Sequence, residues 1–140
     1  MSVPTTRTPR ETIEQFLHTV VHGTRDELAD FYTPDVRIEI PFAPGGVPQV
    51  SEGREEIRAR MKGAEAMWSF DSVQDVTVHT TGEPDVVIAE YRVHGTLAAN
   101  GRAFSLGYIS VFRVEDGLVA WARDYGNPLE VGELTKELGM

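Results

Sequence analysis

The sequence predicts an α+β fold: three N-terminal helices packed on one face of an antiparallel sheet. Three observations carry this. Apolar residues recur at helical spacing through the first third of the chain. After Trp68 the pattern changes to period two. The pairs Asn100-Gly101 and Asp116-Gly117 are strong two-residue hairpin signals, so the strands they join are antiparallel neighbours. Helices followed by a meander give a sheet covered on one side.

Thr8-Pro9-Arg10-Glu11 reads as a helix start, with Thr8 as cap, Pro9 at the first position and Glu11 closing a capping box. Ile13, Phe16, Leu17, Val20 and Val21 form its apolar face, and Gly23 ends it. Thr24-Arg25-Asp26-Glu27 repeats the box and opens a short second helix expected to run through Phe31, with Pro34 as its stop. Val36, Ile38 and Ile40 alternate with charged residues as in a strand. The segment 41–50 carries three prolines and two glycines and reads as a loop, a candidate lid over a pocket. A third helix is expected from Gly53 to about Met67. Four strands follow, at 70–80, 86–97, 103–114 and 118–125. Residues 1–8 are expected to be a flexible start and 9–140 a single domain.

Composition narrows the function classes. The chain has 140 residues with 41% hydrophobic content, enough for one core without disulfides or metal. There is no cysteine, which excludes thiolate metal sites and thiol nucleophiles. The formal net charge of −9 and the scattered arginines argue against nucleic-acid binding. No stretch approaches the roughly 20 apolar residues of a membrane span. No basic segment followed by an apolar run opens the chain, so a cytoplasmic location is the expectation.

Candidate chemistry comes from the faces of the strands. Glu90, Arg92 and His94 share one face of the second long strand with Val86 and Ile88, and Val87, Ala89, Tyr91 and Val93 share the other. On the last strand, small residues precede Asp124 on one face. If these faces coincide, a carboxylate, an imidazole and a guanidinium meet inside apolar walls, the composition of an acid/base site. Asp124 would be the base, His94 the acid or shuttle, and Arg92 the orienting cation. The alternative is a structural Arg92–Asp124 pair with His94 exposed. His18 and His22 lie four apart on the first helix, but a solvated helix face explains them, and neither metal nor cofactor is expected. The expected walls of the pocket are Phe16, Tyr32, Ile38, Ile40 and Phe42 from the first half of the chain. Met61, Trp68, Tyr108, Ser110 and Phe112 complete them. Because both faces of the sheet carry apolar residues, a homodimer through the outer face is expected.

The segment from Ser105 to Val119, with its strand ending Phe112-Arg113 and its Asp116-Gly117 turn, is followed by Trp121-Ala122-Arg123-Asp124-Tyr125-Gly126-Asn127-Pro128. This pattern resembles the SnoaL-like family of the nuclear transport factor 2-like superfamily, which includes polyketide cyclases, phenazine-biosynthesis A/B proteins and limonene epoxide hydrolase. Phe31-Tyr32-Thr33-Pro34-Asp35 and Gly53-Arg54-Glu55-Glu56-Ile57 extend the likeness. The resemblance implies a cone-shaped fold with a curved sheet and a small-molecule pocket between sheet and helices.

Specific relatives differ in what they imply. The tyrosine and two aspartates of ketosteroid isomerases fall on Phe16, Ile40 and Ser110, so that chemistry is not implied. Limonene epoxide hydrolase places its water-activating aspartate on Asp124 and its arginine on Arg92. Its acid falls on His94, and its water-holding Tyr and Asn fall on Ile38 and Ile40. The phenazine proteins place their catalytic glutamate on Asp124 and their helix-borne histidine on Arg60. Together these imply an enzyme that needs no cofactor and moves protons on a small, largely apolar intermediate, by cyclisation, isomerisation or hydrolysis. A non-catalytic binding module of the same fold is the alternative, and a scaffold whose pocket is filled by Phe16, Trp68 and Phe112 is a third.

Overall fold

The computed structural model describes residues 6–139. Helix α1 (Pro9–His22) opens with the expected capping box: the Thr8 side chain accepts from the Glu11 N–H, and the Glu11 carboxylate accepts from the Thr8 N–H. Helix α2 (Arg25–Ala29) repeats the box with Thr24 and Glu27. It stops at Ala29, short of Phe31, and the chain is already extended at Tyr32.

Strand β1 (Tyr32–Glu39) therefore contains Pro34. Proline is tolerated because the pairing slips between Tyr32 and Arg37, so no ladder bond is asked of its missing N–H. After the 41–50 loop, the short β2 (Val50–Glu52) pairs back on β1. Helix α3 (Arg54–Gly63) is shorter than the expected 53–67 span. Four long strands follow: β3 (Trp68–Thr80), β4 (Val86–Leu97), β5 (Ala103–Glu115) and β6 (Leu118–Gly126). The tail forms a fourth helix, α4 (Pro128–Glu137), capped by Asn127, whose side chain accepts from the Leu129 N–H.

The sheet order is β2-β1-β6-β5-β4-β3. All neighbours are antiparallel except β1 and β6, which run parallel. The sheet is thus mixed, because the first strand closes against the last. β3 slips register twice, at Phe70/Ser72 and at Gln74/Thr77, and Asp75 adopts a left-handed φ of 56° within the second slip. Such irregularities bend a strand and curve the sheet.

Helix α1 lies across β3, β4 and β5. Ile13, Phe16 and Leu17 meet Val36, Val87, Ala89, Phe112 and Val119 in one core. Phe16 sits at its centre, edge-on to Phe31, Tyr32 and Phe112 at 5.7–6.0 Å. A second cluster joins Val131, Leu134 and Leu138 of α4 to Leu97, Leu106 and Trp68. Glu130 anchors α4 by accepting from Arg92 and from the Gly107 N–H, both at 2.9 Å. Near the start of the chain, Arg7 donates to the Gly117 carbonyl and lies over the Phe31 ring, so it is tied down; residues 1–5 of the expected flexible start lie outside the described residues. Among the described residues no helix is long and apolar enough to cross a membrane.

Candidate active site

Alternation and register decide which side chains share the inner face. Ser110 of β5 is paired with Asp124 of β6, Phe112 with Ala122, and Tyr91 of β4 with Tyr108. These residues lie on the side that α1 covers. All of them but Ser110, together with Phe16, Leu17 and Val20 of α1, bound a cavity of about 160 Å³. Tyr32 and Ile38 of β1, Phe70 of β3 and Val93 of β4 complete its walls.

Asp124 is its one acid, part-buried in the cavity wall, and desolvation raises its pKa from 3.8 to about 6, with a hydrogen bond from Ser110 opposing the rise. The Tyr91 hydroxyl lies 3.0 Å from the Ser110 hydroxyl. A Tyr91 hydroxyl that donates to Ser110 leaves the serine proton free for the ionised Asp124 carboxylate. Burial pushes the phenols of Tyr32, Tyr91 and Tyr108 above their ordinary pKa, and the Asp124 charge adds to the rise. All three remain protonated donors at neutral pH. The Tyr91 and Tyr108 rings stack at 5.4 Å, which fixes both.

Arg92 and His94 do not join this site. They occupy the face of β4 opposite Tyr91 and Val93, and Arg92 is engaged by Glu130 at 2.9 Å and Ser105 at 2.8 Å. The physical reason is the pleat: if Tyr91 faces α1, Arg92 and His94 must face away. Glu90 goes with them and lies 2.6 Å from His79. The structural Arg92–Asp124 pair is equally absent.

The expected walls divide. Phe16, Tyr32, Ile38, Tyr108 and Phe112 line the Asp124 cavity. Ser110 is fully buried beside it as the partner of Tyr91. Met61 and Trp68 line an adjoining lobe of about 260 Å³ that shares Val20 and Phe70 with the first. Ile40 lies outside both lobes, where its N–H donates to Gln49 as the chain leaves β1. Phe42 is 59% exposed and packs on Tyr125 at 5.6 Å, in an open groove that shares Tyr91 and Tyr108 with the cavity but does not contain Asp124. Apart from Phe42, the groove takes nothing from the 41–50 loop, and neither lobe takes any of it. His18 and His22 stack on each other at 4.4 Å beside a separate surface groove. Tyr91 lines the cavity and lies 3.0 Å from Ser110, yet the sequence does not mark it, because the charged row on the opposite face of β4 carries the stronger signal.

A SnoaL-like domain profile matches residues 13–122. The chain belongs to the SnoaL-like family. An uncharacterised PhzA/B-like protein of Pseudomonas aeruginosa is 32% identical over 120 residues, covering 86% of this chain and 84% of that protein. A Bacillus subtilis protein provisionally called an isomerase superposes with a TM-score of 0.83 at 28% identity, covering 91% of this chain and 92% of that one. A Pseudomonas putida protein provisionally called a polyketide cyclase shares the fold, with a TM-score of 0.76 at 19% identity over 91% of this SnoaL-like chain and 97% of its own.

Proposed function

We propose that this SnoaL-like protein is a cofactor-independent acid/base enzyme of the cyclase or isomerase type, acting on a small, largely apolar molecule held against Asp124. One observation carries the reading: a lone carboxylate lining a cavity otherwise walled by apolar side chains and protonated phenols, where desolvation pushes its pKa up to about 6. Such a group is ionised at neutral pH yet basic enough to accept a proton from carbon. Asp124 takes the proton beside a substrate carbonyl, and the electron pair moves onto the carbonyl oxygen. A phenol of Tyr32 or Tyr108 donates a hydrogen bond to that developing oxyanion. Return of the proton at another carbon gives isomerisation; attack of the enolate carbon on a second carbonyl gives cyclisation. A hydrolytic variant would use the same carboxylate to activate water.

The test is deuterium uptake from D2O into an apolar cyclic ketone such as 2-tetralone, followed by NMR. The expected result is saturable exchange above the buffer rate, reduced by about 100-fold or more in Asp124→Asn. Undiminished exchange in that variant would sink the assignment. Ligand binding without any exchange across a panel of such ketones would favour a binding module instead.

The same proposal includes a homodimer through the outer face of the sheet. That face presents Ile109, 48% exposed, paired with Glu90 on one side and Tyr125 on the other.

A further inference from the structure

The lobe that adjoins the Asp124 cavity has a different chemistry. Its walls are apolar, from Val20, Leu28, Met61, Ala64, Trp68 and Phe70, but it also carries the two cations Arg25 and Arg60 and no carboxylate. The nine-charge excess of acid over base repels anions at long range, so two cations in one apolar lobe are a local arrangement.

The two arginines are paired less closely than their neighbour Arg58, which is held by Asp26, Asp30 and Glu55; Arg60, at the exposed edge of the lobe, has one carboxylate partner, Glu56. Arg25, among the described residues, has no carboxylate partner. Its guanidinium donates to the main-chain oxygens of Met61 and Trp68 and lies 5.3–5.4 Å from the Trp68 and Phe70 ring centroids. Burial lowers its pKa, and the charge of Glu65 only partly opposes the fall. Arg60 donates to the Ser51 hydroxyl at 2.6 Å and lies 3.7 Å from Glu56. The indole N–H of Trp68, another wall residue, is buried without an acceptor. The lobe thus presents two cations and one unpartnered donor, with no carboxylate in its own wall.

We infer that the ligand is an amphipathic monoanion: an apolar body that reaches Asp124 and a carboxylate held by Arg25 and Arg60 in the second lobe. This rests on the reading that the molecule bound under α1 is the one Asp124 acts on. The arrangement separates like charges, because the ligand's anion stays at the opposite end from the catalytic carboxylate. It also orients the molecule, since only one end can be satisfied by guanidinium groups.

The experiment compares two probes of the same shape, 2-naphthylacetate and 2-naphthylacetamide, by calorimetry at neutral pH and low salt. The carboxylate is expected to bind the wild-type protein roughly tenfold more tightly than the amide, the size of a charge-assisted hydrogen bond. In Arg25→Gln/Arg60→Gln the preference should fall away while the amide still binds with wild-type affinity. Arg25 also ties Met61 to Trp68, so Arg60→Gln alone and Arg25→Lys serve as milder variants. The first should weaken the preference and the second should keep most of it. Equal binding of the two probes, a preference that survives the double variant, or binding of neither probe overturns the inference. Asp124→Asn separates the two readings. Loss of proton exchange with the carboxylate preference intact supports both; Asp124-dependent exchange with no preference defeats the anion site alone.

Discussion

Ser110 and Asp124 face each other as register partners across β5 and β6, the serine fully buried and the aspartate lining the cavity, and a hydrogen bond from the serine holds the carboxylate pKa below where burial alone would put it. The serine is therefore a positioning and tuning residue, itself steadied by Tyr91. Removing the hydroxyl in Ser110→Ala takes away one hydrogen bond to a charged group, about 1.5–3 kcal/mol, so the Asp124 pKa should rise by roughly one to two units. Carboxyl-carbon NMR of Asp124 across pH reads this directly, and the alkaline-going limb of proton exchange should move with it. Tyr91→Phe leaves the Ser110–Asp124 bond in place and should move the titration much less. An unchanged Asp124 titration in Ser110→Ala would refute the tuning role.

The raised pKa also fixes a stability cost. Between pH 3.8 and about 6 the folded protein holds a proton on Asp124 that the unfolded chain has lost. In that window this residue's contribution to stability falls as pH rises, and above it the penalty is constant. A rise from 3.8 to about 6 corresponds to about 3 kcal/mol. Asp124→Asn, which stays neutral, should therefore be more stable than wild type by up to about 3 kcal/mol above pH 7, with the gain shrinking toward zero below pH 4. Chemical denaturation of both proteins across pH measures the difference and cancels the other acids. A variant less stable than wild type at pH 8 would contradict this account.

The order and periods of the elements were legible because each rests on local chemistry. The capping boxes of Thr8/Glu11 and Thr24/Glu27 and the two-residue turn at 116–117 form as read, whereas the hairpin at Asn100-Gly101 closes through a longer loop between Leu97 and Ala103. The parallel β1–β6 pair was not legible, because no local signal says which strand the first one will join. The same limit governed the site. Alternation on β4 separated Arg92 and His94 from Tyr91 correctly, but alternation alone does not say which face the helices cover. The charged row drew attention, whereas the covered face was the one reading Val87, Ala89, Tyr91, Val93. Three of those four are buried outright, which the apolar character of the row already indicated. Asp124 is marked twice in the sequence, by the small residues that precede it on its strand face and by the resemblance to the epoxide hydrolase and phenazine proteins, and the structure places it in the cavity wall. Arg25 carried no signal, since its partners are main-chain oxygens of residues 36 and 43 positions away.

The outer face of β4 and β5 tests the proposed dimer. Ile109 lies there half-exposed, opposite in pleat to Tyr108 and Ser110, so a substitution at this point reaches neither the cavity nor the core. In the monomer an aspartate at 109 would be solvated and should change stability by less than about 1 kcal/mol. In a dimer it would place an unpaired charge within an apolar contact, and a second copy by symmetry, which costs several kcal/mol. Sedimentation velocity should therefore show wild-type protein at twice the chain mass and Ile109→Asp shifted to the monomer, with the fold retained by circular dichroism. A wild-type monomer at all concentrations, or an Ile109→Asp protein that remains dimeric, would remove this face from the interface.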